Sequence, residues 1–178
     1  MVTFFCYCAL EQATALWSTT YLTLRYEVDA AAAAGYASLF FIGVTVGRVA
    51  SGFLSYRIKD DSMVLLGQGI TLVGVLLLLQ PFFTWGAIAG LFVIGLGCAP
   101  MYPSLLHAAP THFGAEQSQA IMGVLMACSN SGTLFMPPLL GWIVGFTGMG
   151  IYPWFLAVIL VVMFFAHRTA VKKCTPAE

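Results

Sequence analysis

Charged side chains are scarce in this sequence. Only 8% of its 178 residues are Asp, Glu, Lys or Arg, while 60% are hydrophobic. A soluble domain carries about 25% charged residues. So little polar surface cannot dress a water-soluble globule, and a mean hydropathy of +0.92 assigns the chain to the lipid bilayer. An excess of one sign of charge is missing too. Acidic and basic residues number 7 each, which leaves no basic footprint for nucleic acid. Catalytic signatures are missing as well: there is no nucleotide loop, no HExxH and no GxSxG. His107 and His112 are not at the i, i+4 spacing of a helical metal pair. The sequence therefore points to no enzyme, no metal and no cofactor. The 5 cysteines are an odd count, and Cys6-x-Cys8 lacks the partners a zinc site needs. They read as small buried hydrophobes. Without a basic n-region ahead of the first apolar run, no cleavable signal peptide is expected.

What the chain has is long apolar runs. Crossing a bilayer as a helix takes ~20 mostly apolar residues, and six runs qualify: 3–24, 32–56, 62–80, 83–107, 116–146 and 152–167. The fifth is long enough to tilt or kink, with Pro137-Pro138 inside it. The expected fold is all-α, one transmembrane domain of six helices. Three spans followed by three in the opposite orientation is the arithmetic of two inverted repeats. The alanine run 30–34 reads as a helix start.

Basic residues set the orientation. Arg57 and Lys59 lie in the second–third loop, and Arg168, Lys172 and Lys173 lie in the tail. These fall on one side of a six-span path, joined by the fourth–fifth loop with His107, His112 and Glu116. The other side has Arg25 beside Glu27 and Asp29. The positive-inside rule puts both termini in the cytoplasm of a cell membrane protein. Trp85, Tyr152 and Trp154 fall where an interfacial aromatic belt belongs.

Several polar residues stand inside the apolar runs. In the first span Glu11, Thr14, Ser18 and Tyr21 recur at helical spacing, with Gln12 and Trp17 close by. Such a stripe would line a solute pathway with Glu11 binding solute or proton; the alternative is a carboxyl hydrogen-bonded between helices. Arg48 is framed by Gly43, Gly47 and Gly52 and lies ~12 Å inside its span at 1.5 Å per residue. It reads equally as a gate or ion-pair residue and as a long side chain snorkelling to the interface. Arg57 is a topology anchor or a part of that gate. The fourth span, with Gly95, Gly97, Pro100 and Pro103 near Tyr102, is expected to be weakened or broken, as in moving transporter helices. Asn130, between Ser129 and Ser131, is expected to hydrogen-bond between helices or to stand behind the pathway.

Three stretches resemble a known family. Gly52-Phe53-Leu54-Ser55-Tyr56-Arg57-Ile58-Lys59 resembles the loop signature of the major facilitator superfamily in its second-half copy, with Tyr56 in the acid's place and Lys59 in the second glycine's. Phe4-Phe5-Cys6-Tyr7-Cys8-Ala9-Leu10-Glu11 and Gly95-Leu96-Gly97-Cys98-Ala99-Pro100-Met101-Tyr102-Pro103-Ser104 look like the seventh and tenth helices of its fucose-permease-like sugar transporter branch. The resemblance implies half of a twelve-helix fold. It also implies secondary active transport of a small polar solute, a sugar, by alternating access, with proton symport through Glu11 as a further expectation. The implied pathway residues are Glu11, Gln12, Trp17 and Tyr21, with Tyr102 and Asn130 behind them. The implied partners are the bilayer, the solute, and a missing N-terminal half or a homodimer copy. The alternative is a truncated fragment or structural subunit that transports nothing alone; Met1 lies almost inside a span, as a truncated gene would leave it.

Overall fold

A computed structural model describes the backbone of residues 1–80, 83–113 and 118–174, and their side chains except at 109–113, 118, 173 and 174. Six helices follow one another: α1 Val2–Tyr26, α2 Ala30–Leu54, α3 Asp60–Leu79, α4 Thr84–Phe113, α5 Ser118–Thr147 and α6 Tyr152–Cys174. A short 3₁₀ turn, Met149–Ile151, leads into α6. There is no strand among the described residues. The expectations for Glu116, and for the side chains of His112, Lys173 and Cys174, fall outside the described residues.

Five of the helices, α2 to α6, are long and apolar enough to cross a membrane. α1 is equally long at 25 residues, roughly 37 Å at 1.5 Å per residue. Glu11, Gln12 and a scatter of Thr, Ser and Tyr make it less apolar than the others. The helices begin and end within two residues of the apolar runs except at the ends of α4 and α6, which continue to Phe113 and Cys174.

Local chemistry accounts for the junctions. Asp29 caps α2: its Oδ2 accepts from the Ala31 and Ala32 backbone N–H groups at 3.0 and 3.4 Å, so the alanine run does open a helix. Asp60 and Asp61 begin α3, where the helix dipole favours negative charge. Glu27, in the left-handed region at φ 55°, stops α1.

α1 packs against α5 and α6, and α4 packs against α2 and α3; the two groups meet along α1–α4, α1–α2 and α3–α6. Bare backbone forms the α2–α4 seam. A Cβ on Gly95 would collide with the Phe40 carbonyl oxygen, and one on Gly43 with that of Phe92. Small residues let helix backbones approach this closely. Gly47 belongs to the same seam, but Gly52 faces open space and takes no part in it.

The expected break in α4 does not occur. The helix runs unbroken through Pro100 and Pro103. Its glycines are close-approach positions: Gly97 lies against Gly67 and Thr71 of α3, and Gly90 against Gly74. Packing on two neighbours holds α4 where propensity alone would weaken it.

One end of the bundle gathers the basic residues. His107 Nδ1 and Asp60 Oδ2 lie 2.8 Å apart, an ion pair when the ring is protonated. His167 Nε2 lies 3.3 Å from the Asp61 carbonyl oxygen. These contacts bring the start of α3 level with the ends of α4 and α6, beside Arg57, Lys59 and Arg168. At the other end the Tyr26 hydroxyl donates to the Gln80 carbonyl at 3.1 Å, and Trp85 and Trp154 are exposed, whereas Tyr152, expected in the same belt, is buried inside the bundle.

Candidate functional site

The polar stripe of α1 faces inward. Thr14, Ser18 and Tyr21 are buried, at 0%, 1% and 2% exposure. Thr14 Oγ1 donates to the Leu10 carbonyl at 2.8 Å, and the Tyr21 hydroxyl donates to the Leu78 carbonyl of α3 at 2.9 Å. The Tyr21 ring lies 4.8 Å from that of Tyr152. Of these three, Tyr21 ties α1 to α3, Thr14 bonds within its own helix, and the buried Ser18 hydroxyl has no hydrogen-bond partner among the described residues. Periodicity identifies a shared face without saying what the face meets.

Glu11 stands at the edge of that stripe and is half-buried. Tyr7, one turn back on α1, and Arg48 of α2 are its polar neighbours. Gln12, Thr19, Thr20 and Thr23 are half-exposed on the neighbouring face.

Two concavities collect the remaining candidates. The first is a groove of about 680 Å³ between α1 and α5, lined by Trp17, Thr20, Asn130, Thr133, Pro137 and Pro138 among others. The Trp17 indole N–H donates to the Pro137 carbonyl at 3.1 Å. A Cβ on Gly141 would lie 2.8 Å from the ring edge, so the indole is seated where α5 carries no side chain. Pro137 and Pro138 lie inside α5, which runs as one helix. A proline has no N–H, so the pair removes the helical donors to the carbonyls of Thr133 and Leu134. Both of those residues line the groove. Asn130 is exposed there. The helix-to-helix bond falls to its neighbour: Ser129 Oγ meets Cys8 Sγ at 3.0 Å.

The second concavity, about 930 Å³, opens at the basic end between α2, α3 and α4. Arg48, Arg57, Lys59, Tyr102 and His107 line it. Tyr102 also belongs to an aromatic cluster with α1, its ring centroid 5.3 Å from Phe4 and 6.0 Å from Tyr7. Tyr7 and Tyr102 thus link the carboxyl of α1 to the cationic cavity.

The structure therefore brings Trp17 and Asn130 together, brings Arg48, Arg57 and Tyr102 together, and sets Glu11 between the two groups. Tyr21 stands apart. Sequence reasoning missed Thr133, whose signal was its position three residues after Asn130 on the same helical face. Cys6, Cys8 and Cys98 are buried thiols, as expected of small hydrophobes, while Cys128 is half-buried. No group of three or more metal-ligating side chains occurs among the described residues. A family model described as Major Facilitator Superfamily matches residues 1–175. No curated protein matches the chain.

Proposed function

The chain belongs to the Major Facilitator Superfamily, a membership that implies membrane transport of small solutes, and on that premise we propose that its solute is a sugar. In this reading it works by alternating access as the C-terminal half of a cell-membrane transporter of the fucose-permease-like branch, with both termini cytoplasmic.

The observation that carries the reading is the α1–α5 groove. It combines one seated aromatic ring, Trp17, with the Asn130 amide, two threonine hydroxyls and two carbonyls released by Pro137 and Pro138. An aromatic face suits the apolar face of a pyranose, and carbonyl and amide acceptors suit its hydroxyl donors. Glu11 and Gln12 extend this path along α1, and Tyr102 continues it toward the basic end. Glu11 is the proposed proton site, with Arg48 as its counter-charge.

A second bundle is part of the proposal. Arg48 is exposed inside an apolar span, and a guanidinium at membrane depth requires a watery cavity or protein around it. Covering α2 and α5 with a first half, or with a second copy, supplies that cavity. The pairing pattern of the helices supports an inverted repeat. Exchanging α1–α3 with α4–α6 converts the α1–α5 and α1–α6 contacts into the α4–α2 and α4–α3 contacts.

Uptake of radiolabelled monosaccharides into vesicles tests the proposal, with the chain reconstituted alone and with a separately expressed first half. Saturable uptake that Trp17→Ala and Asn130→Ala abolish is expected. Absence of uptake in both preparations favours the structural-subunit reading. Uptake that is indifferent to an imposed pH gradient removes the proton from the scheme.

A further inference from the structure

A third groove lies between α3 and α6. Its volume is about 430 Å³, and Leu65, Leu72, Leu160 and Phe165 are among its walls. Two polar groups interrupt this apolar lining. Gln68 is 3% exposed, and neither its Oε1 nor its Nε2 has a hydrogen-bond partner among the described residues. Arg168 stands at the mouth, its guanidinium carbon 5.7 Å from the centroid of the Phe164 ring.

A buried amide without partners is costly, because both its dipoles have left water for nothing. An apolar groove that ends on such an amide calls for an occupant with a long hydrocarbon part and a polar part. The register of the helices says where that polar part falls. His167 and Asp61 are level, since Nε2 of one meets the carbonyl oxygen of the other. Counting along the antiparallel helices, Gln68 is level with Leu160. The Arg168 guanidinium, folded back over Phe164, lies about 6 Å nearer the basic end at 1.5 Å per residue. In a glycerophospholipid the ester carbonyls lie a comparable step below the phosphate.

We propose that the α3–α6 groove is a binding site for one anionic phospholipid. An acyl chain fills the apolar cleft, the Gln68 amide donates to an ester carbonyl, and the Arg168 guanidinium holds the phosphate. Charge complementarity at Arg168 selects phospholipid over a second copy of the chain, because a second copy would bring the same arginine. Gly69 supports an open cleft: a Cβ there would meet nothing within 4 Å.

The test is lipid retention. The full chain is placed in nanodiscs of equimolar phosphatidylcholine and phosphatidylglycerol and ejected into a native mass spectrometer. Wild type is expected to keep one phosphatidylglycerol. Arg168→Ala should lower that occupancy about tenfold, the loss expected of one charge-assisted hydrogen bond. Lys172→Ala, which removes an exposed cation at the same end, should leave it unchanged. Gly69→Leu adds bulk to the cleft from a Cβ position that meets nothing within 4 Å and should expel either lipid; Gln68→Leu should weaken both. Circular dichroism checks that every variant keeps its helices. Equal loss in Lys172→Ala and Arg168→Ala overturns the proposal, as do equal retention of both lipids by wild type and a lipid-free dimer that Gly69→Leu disrupts.

Discussion

The indole nitrogen of Trp17 donates to the carbonyl oxygen of Pro137 across 3.1 Å, joining α1 to α5 where the double proline interrupts the helical ladder. Trp17→Phe keeps an aromatic ring and deletes the donor. The expected cost is about 1 kcal/mol, read as a fall of a few degrees in the melting temperature of the detergent-solubilised protein. Solute affinity should fall along with it, because the freed ring loses its fixed orientation.

Substitutions at two glycines of the second and fourth helices should diverge sharply. Gly95→Ala drives a methyl group into the Phe40 carbonyl, while a Cβ at Gly52 meets nothing within 4 Å. Overpacking of this kind costs about 1–3 kcal/mol. Size-exclusion profiles of fluorescently tagged variants should show a monodisperse peak for Gly52→Ala and a depleted or aggregated one for Gly95→Ala. Matching profiles would mean that the α2–α4 seam can spread freely.

Tyr21 and Glu11 lie on one helical face yet should fail in different ways. Tyr21→Phe removes the donor to the Leu78 carbonyl, so stability drops by about 1 kcal/mol while transport per folded molecule persists. Glu11→Gln should leave the melt almost unchanged and reduce uptake. Measuring both quantities for both variants separates a tether from a pathway group.

In the proposed scheme Arg48 is the counter-charge of Glu11. A double-mutant cycle of Arg48→Gln and Glu11→Gln, read in solute affinity, should return a coupling of at least about 0.5 kcal/mol. The same cycle with Arg57→Gln should return a smaller coupling, since Arg57 stands in the loop beyond the end of α2.

The helices and most of their ends were legible in the sequence because a bilayer demands long apolar runs and leaves few alternatives. Asp29 ahead of five alanines announced the start of α2 through ordinary capping chemistry. Function-bearing detail was less legible, for two physical reasons. Glycine and proline in α4 have two opposite meanings, a weak helix or a close approach, and only the neighbouring backbones of Phe40 and Thr71 distinguish them. The Thr14–Ser18–Tyr21 face was correctly grouped, but its period carries no information about which side of the bundle it meets. The site that did emerge depends on Thr133 and Leu134 carbonyls, and no side-chain motif advertises a freed carbonyl.

The pairing of α1 with α5 and α6 also bears on how the protein is made. α1 leaves the ribosome first among the six helices, yet Trp17 meets Pro137 and Cys8 meets Ser129 only after more than a hundred further residues have been synthesised. Until then the least apolar helix of the set must wait in or beside the insertion machinery with Glu11 and Gln12 lacking their final surroundings. Long-range pairing of this kind is slow and leaves intermediates open to aggregation. Biogenesis is thus the stage at which α1 depends most on an insertase, and α5 is the helix whose arrival ends that dependence.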